Sequence, residues 1–232
     1  MNVDAVFFDA GNTLIYPDPP VGAAYARALR REGIEADPEE VGQRFEEAWL
    51  AMREQQEPDD LEYGRTEGEA LDWWRKVVRE TCRHFGMPRD FEAMFQALWE
   101  YFASGAAWGV YDDVVPTLRE LRRRGKGLGV ISNWDVRLAD VLREVGLQQE
   151  FDWVLISACV GVEKPDPAIF QQALRGCGLP AERVLHVGDT REDDFVGARE
   201  AGLQALWLRR ETTDCGGDAV IASLTELLDL LD

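Results

Sequence analysis

Val3 to Leu14 read VDAVFFDAGNTL. The apolar run to Phe8, broken only by Asp4, has the length of one strand, and it stops on Asp9-Ala10-Gly11-Asn12-Thr13. A short, nearly continuous apolar run suits a strand covered on both faces, as in a parallel sheet. The same texture returns at Leu128 to Ile131, Trp153 to Ile156, Val184 to Val187 and Ala205 to Leu208. Helix-period segments lie between the later runs. DDVVPTLRELRRRG places Val115, Leu118 and Leu121 on one face and closes at Gly125. Val136 to Val145 closes at Gly146, and Glu192 to Ala201 closes at Gly202. Asp166-Pro167 reads as an N-cap and a first-turn proline opening a helix through Leu174. Strand alternating with helix predicts a doubly wound α/β core, whose functional crevice lies at the carboxyl ends of the strands.

The rhythm breaks between Tyr16 and Trp108, where no convincing strand is found. Asp37-Pro38-Glu39-Glu40 starts a capped helix with Val41, Phe45, Ala48 and Trp49 on one face. Leu71, Trp74, Val77, Val78, Cys82 and Phe85 make a second stripe, and Phe91, Met94, Phe95, Leu98 and Phe102 a third. Pro58-Asp59-Asp60 and Gly86-Met87-Pro88 read as turns. The domain reading is a core of residues 1–15 and 109–232 with an all-helical insertion at 16–108. Tryptophans in the insertion, among them Trp49, Trp73, Trp74 and Trp99, are read as packing.

The 232 residues are 46% hydrophobic and 30% charged, enough apolar material for a core and too much for disorder. Acids outnumber bases 44 to 25, a net charge of -19 that disfavours nucleic acid and anionic membrane as partners. An anionic small molecule is compatible with that surface if the site gathers local positive charge. Only Lys76, Lys126 and Lys164 are lysines, so a lysine near the strand ends stands out. Cys82, Cys159, Cys177 and Cys215 show no metal or disulfide spacing. No membrane span or signal peptide is read from the chain, and a cytoplasmic location is expected. Oligomeric state is not legible.

Several strand ends carry polar groups: Asp9 to Thr13, then Ser132-Asn133, then Gly188-Asp189-Thr190-Arg191-Glu192-Asp193-Asp194, with Lys164 in GVEKPDP. If the strands are parallel these converge. Carboxylates that close call for a cation, and Mg²⁺ with oxygen ligands is the natural one. Four segments in this order, FFDAGNTL, VISN, EKPDP and HVGDTREDD followed by FVGAREAG, resemble the haloacid dehalogenase-like (HAD) hydrolase superfamily. The resemblance implies a Rossmann-like core with a mobile helical cap inserted after the first strand. It also implies that Asp9 is a nucleophile forming a covalent intermediate and that Ser132 hydrogen-bonds the transferring group, with Asn133 beside it. Lys164 would temper the negative charge. Asp9, the Gly11 carbonyl, Asp189 and Asp194 (or Asp193 in its place) would hold Mg²⁺, and Thr13 would hold the first loop.

In family phosphatases the residue two after the nucleophile is an aspartate that protonates the leaving group. Here it is Gly11, and Asn12 is no acid. Losing a general acid costs about 10²–10⁴-fold in rate. The leading reading is therefore a Mg²⁺-dependent phosphohydrolase for a small phosphorylated metabolite whose leaving group needs little protonation. The other source of an acid is the cap, where Tyr16, Asp18, Asp59, Asp60 and Glu62 are candidates and nothing selects among them. The alternatives are a carbon–halogen or carbon–phosphorus hydrolase, or a non-catalytic metal- and phosphate-binding member. Trp134, beside Asn133, is read as a wall of the substrate pocket. His186 is read as core, and His84 as a helix-end residue suited to the dipole.

Overall fold

The computed structural model describes residues 1–55, 61–211 and 219–231. Outside them lie the turn read at Pro58-Asp59-Asp60, the candidate acids Asp59 and Asp60, Cys215, and residues 212–218 of the tail. In chain order the first elements are β1 (Ala5–Phe8), β2 (Ile15–Pro17), α1 (Val21–Arg31), α2 (Pro38–Glu54), α3 (Glu67–Arg83) and α4 (Phe91–Ala103). Next come β3 (Trp108–Val110), α5 (Val114–Arg123), β4 (Gly127–Ser132), α6 (Leu138–Glu144), β5 (Trp153–Ile156) and α7 (Ser157–Val160). The rest are α8 (Pro167–Cys177), β6 (Val184–Gly188), α9 (Gly197–Glu200), β7 (Gln204–Leu208), β8 (Val220–Ile221) and α10 (Leu227–Leu230). No helix among the described residues is long and apolar enough to cross a membrane.

The chain divides into two compact units. The first, Met1–Tyr16, Val110–Trp134 and Gly146–Asp232, holds a six-stranded sheet in the order β5-β4-β1-β6-β7-β8. Every neighbouring pair is parallel. β1 is buried along its whole length because it is the central strand. The chain moves outward from β1 to β4 and β5, then returns to β6 on the other side and runs on to β7 and β8. The reversal falls between β1 and β6, the place where a doubly wound sheet opens a crevice. Register brings the tips level, with Phe8 opposite Val130 and Val187, and the Asp9 amide donates to the Val187 carbonyl at 2.9 Å. The buried stripe of α5 is Val114, Leu118 and Leu121, so Val114 takes the place predicted for Val115. α8 starts as its sequence predicts, with the Asp166 carboxylate accepting from the Ala168 amide at 2.8 Å and Pro167 in the first turn.

The second unit, Pro17–Gly109 with Asp135–Val145, is helical. Asp37 caps α2, accepting from the amides of Glu39 and Glu40. Tyr25, Leu29, Val41, Val78, Phe95 and Trp99 pack into its main core. α6 groups with these helices, although the alternating pattern assigns it to the sheet. The cause is a buried ion pair. Asp135 is fully buried and accepts from the indole of Trp74 at 3.0 Å and from Arg137 Nη2 at 2.6 Å. The Arg137 guanidinium lies 3.6 Å over the Trp99 ring and donates to the Trp99 carbonyl. Trp74 and Trp99 are thus packing residues with a polar duty as well. At the ends of the inserted segment β2 and β3 form a two-stranded sheet, where three residues each are too few to show alternation.

Removing one member of a buried pair leaves the other charge stranded. Asp135→Ala should lower stability by about 3 kcal/mol, read as a fall in the urea midpoint of the helical unit; a loss below about 1 kcal/mol would show that the Trp99 contacts alone hold Arg137.

Candidate active site

Asp9 follows β1, Ser132 ends β4, and Gly188-Asp189 closes β6, so three strand tips deliver their side chains to one place. The first loop turns back sharply. The amides of Leu14 and Ile15 both donate to the Ala10 carbonyl, and the Asn12 amide donates to the Ile15 carbonyl at 2.7 Å. This requires φ +53° at Asn12, a left-handed backbone that asparagine tolerates better than most residues. Arg210, just past β7, ties the loop down. It donates to the Thr13 carbonyl at 2.7 Å, pairs with Asp113 at 3.0 Å and lies 3.7 Å over the Tyr111 ring.

Lys164 forms the centre of the site. The residue is 3% exposed, and its ammonium donates to Asp9 Oδ1 at 2.7 Å and to Asp194 Oδ1 at 2.5 Å. Ser132 Oγ donates to the same Asp9 Oδ1 at 2.9 Å. Asp9 Oδ2 accepts no hydrogen bond among the described residues. Asn133 fixes the lysine's backbone by a two-point clamp: its Nδ2 donates to the Lys164 carbonyl and its Oδ1 accepts from the Lys164 amide, both at 2.8 Å. Asp194 is the acid held inside. Its Oδ1 also meets His186 Nε2 at 2.8 Å, and its Oδ2 accepts from the Thr190 amide at 3.0 Å. Asp193 is only half-buried. Gly188 makes room for Asp194, since a Cβ there would lie 2.1 Å from the Asp194 carboxyl carbon. The helix predicted from Glu192 begins as a π-type turn, Arg191–Val196, whose last-but-two residue is Asp194.

Thr13 Oγ1 reaches Asp189 Oδ1 at 3.4 Å, and the Trp207 indole donates to the Asp189 carbonyl at 2.8 Å. Trp134 packs at Gly11, where a Cβ would meet its ring at 3.2 Å. The residues predicted for the site, Asp9, Gly11, Thr13, Ser132, Asn133, Trp134, Lys164, Asp189 and Asp194, all belong to the sheet unit. Among the proposed sources of an acid, the Tyr16 ring lies tilted against that of Tyr111 with centroids 4.6 Å apart, and Asp18 and Glu62 belong to the helical unit.

Charge sets the behaviour of these groups. Burial pushes Asp9 above the ordinary carboxylate range, partly offset by Lys164 and the Ser132 hydroxyl. Burial would push Asp194 up too, but Lys164 and His186 outweigh it and hold the carboxyl well below its usual range. For Lys164, desolvation is outweighed by its two carboxylates, which keep it a cation. Asp189 contacts no cation among the described residues, and Lys164 offsets its burial only in part. Burial, with Asp9 and Asp194 nearby, raises it to about 7. The ligand oxygens of Asp9, Asp189 and Asp194 lie within 4.8 Å of one another. Three acids against one ammonium leave an excess of negative charge, and an all-oxygen donor set fits a hard divalent ion such as Mg²⁺.

The family model for haloacid dehalogenase-like hydrolase matches residues 3–202. This chain belongs to the haloacid dehalogenase-like hydrolases. The hydrolase is 37% identical over 237 residues to the mouse haloacid dehalogenase-like hydrolase domain-containing protein 3, covering 97% of this chain and 92% of the relative. It is 31% identical over 214 residues to a glyceraldehyde 3-phosphate phosphatase of Methanopyrus kandleri, covering 90% and 84%. The crystal structure of a HAD phosphatase from Thermococcus onnurineus superposes with a TM-score of 0.67 at 26% identity, covering 98% of this chain and 97% of that one.

Two residues of this hydrolase's site were not foreseen. His186 is buried core, as its place in a strand predicts, but it also bonds Asp194. An imidazole two residues before Gly188, with the acid of the same motif downstream, was the available signal. Arg210 gave none, because its partners come from distant segments.

The raised Asp189 has a measurable consequence. A folded-state value of about 7 against 3.8 means that the folded protein holds a proton the unfolded chain has released between those pH values. Stability therefore falls as pH rises through that window. Asp189→Asn removes the penalty. In EDTA at pH 8 the variant should be about 2 kcal/mol more stable, roughly 4–8 °C in Tm, with the gap closing by pH 4. A variant no more stable than wild type at pH 8 would refute the electrostatic reading of this group.

Proposed function

We propose that this hydrolase is a Mg²⁺-dependent phosphohydrolase working through an aspartyl-enzyme intermediate on Asp9, and that its substrate is a small phosphorylated metabolite. The observation that carries the reading is the way Asp9 is held. Ser132 and Lys164 both bond Oδ1, which orients the carboxylate and leaves Oδ2 to attack. Oδ2 bonds to phosphorus as the bond from phosphorus to the leaving oxygen breaks, and that oxygen departs with the electron pair. Water then bonds to phosphorus as the Asp9–phosphorus bond breaks, returning the carboxylate and releasing phosphate and a proton. Lys164 has a third hydrogen to offer the phosphoryl oxygens, whereas the single hydrogen of Ser132 is spent on Asp9 until that bond is exchanged for one to the transferring group. Asp9, Asp189, Asp194 and the Gly11 carbonyl would hold Mg²⁺, which when bound supplies positive charge to the transferring group. The phosphatase name of the Methanopyrus relative supports the same chemistry. The helical unit is proposed as the cap that supplies specificity.

Gly11 keeps one alternative open. A site without an acid two residues after its nucleophile suits a halide, which leaves without a proton, so cleavage of a carbon–halogen bond is the second reading.

With para-nitrophenyl phosphate and Mg²⁺, Asp9→Asn should lower turnover on the order of 10³-fold. EDTA should abolish wild-type turnover and Mg²⁺ restore it. Unchanged turnover in the variant would refute the assignment, and halide release from 2-haloacids without metal would select the second reading.

A further inference from the structure

We propose that Trp134 is a specificity-determining residue: with Gly11 it forms a packed pair that fills the space an acidic side chain at position 11 would need. The pair thereby restricts the enzyme to phosphates whose leaving oxygen is intrinsically stable as an anion, such as aryl, enol and acyl phosphates. The inference rests on the phosphohydrolase reading for its substrate class, and on packing alone for the pair itself.

Three observations support it. A Cβ at Gly11 would lie 3.2 Å from Trp134 Cζ3, inside the 3.4–4 Å of ordinary contact. A longer side chain must either displace the ring or turn away from it. Where the ring yields, its backbone cannot easily follow. The Trp134 amide donates to Ser157 Oγ at 3.1 Å, and the Trp134 carbonyl accepts from Ser157 Oγ at 3.2 Å and from the Ala158 amide at 3.3 Å. Trp134 is thus held at both backbone polar groups by the start of α7. Gly11 is held as well, because the loop from Ala10 to Ile15 is closed by its own hydrogen bonds and by Arg210 on Thr13. Two held segments face each other across a contact that is already tight for a methyl group at Gly11. The absence of an acid is therefore built into two places in the chain, and restoring it takes two changes. Ser157 is a positioning residue in this arrangement, acting through Trp134.

The test is a double-substitution cycle with two readouts. The first is the ratio of kcat/KM on an alkyl phosphate (glycerol phosphate) to that on para-nitrophenyl phosphate. Gly11→Asp alone should raise the ratio by less than about 3-fold, and Gly11→Asp with Trp134→Ala by about 10-fold or more beyond Trp134→Ala alone. The second is thermal denaturation of wild type, Gly11→Ala, Trp134→Ala and the double variant. Gly11→Ala should lower Tm when Trp134 is present and have little effect when it is gone. Trp134→Leu, which keeps apolar bulk but lacks the six-membered ring that reaches Gly11, repeats the cycle if the alanine variant does not fold. Additive thermal shifts, or a full gain from Gly11→Asp alone, would overturn the pair. Should wild type turn over no phosphate ester at all, the phosphohydrolase reading fails while the thermal cycle still decides whether the two residues are packed against each other.

Discussion

A buried ammonium between two carboxylates organises this protein. Lys164 touches Asp9 and Asp194 at once, and almost none of it reaches solvent. Taking an ammonium and two carboxylates out of water is costly, and only close pairing with further hydrogen bonds offsets it. Each member has those bonds: Ser132 on Asp9, His186 and the Thr190 amide on Asp194, and Asn133 on the backbone of Lys164 itself. The charges therefore draw together β1, β4, the loop before α8 and the turn after β6, with Asp9 lying 155 residues before Lys164 in the sequence. The geometry that stabilises the fold here is the same geometry that orients Asp9.

The arrangement also divides labour among similar groups. Asp9, Asp189 and Asp194 are chemically identical acids whose neighbours make them different. Asp194 is committed to Lys164 and His186, Asp9 shares one oxygen and keeps the other, and Asp189 lacks a cationic partner among these contacts. A divalent ion among them would relieve Asp189, which burial and two neighbouring acids raise and Lys164 only partly offsets.

The sheet was legible because buried parallel strands announce themselves as short apolar runs, and the polar tips at Asp9, Ser132 and Asp189 mark where they end. Asp166-Pro167 and Asp37-Pro38 located helix starts because capping is local chemistry. The order of four motifs then pointed to the family. What stayed hidden depends on distant partners. β2 and β3 are stabilised by each other and not by pattern. α6 has the periodicity of any amphipathic helix, and only the contacts of Asp135 and Arg137 with Trp74 and Trp99 assign it to the helical unit. The π-type turn before α9 is likewise invisible to a 3.6-residue period.

The burial of Lys164 has a consequence for encounter. The chain carries a net charge of -19, yet the cation that a phosphate would seek is sealed beneath the surface. At long range a dianion therefore meets repulsion, and attraction begins only at contact distance. Screening by salt shortens the range of that repulsion to about 8 Å at physiological ionic strength. For the anionic substrate proposed above, capture should then be faster in salt than in dilute buffer, the reverse of the behaviour of proteins that steer anions with exposed basic faces.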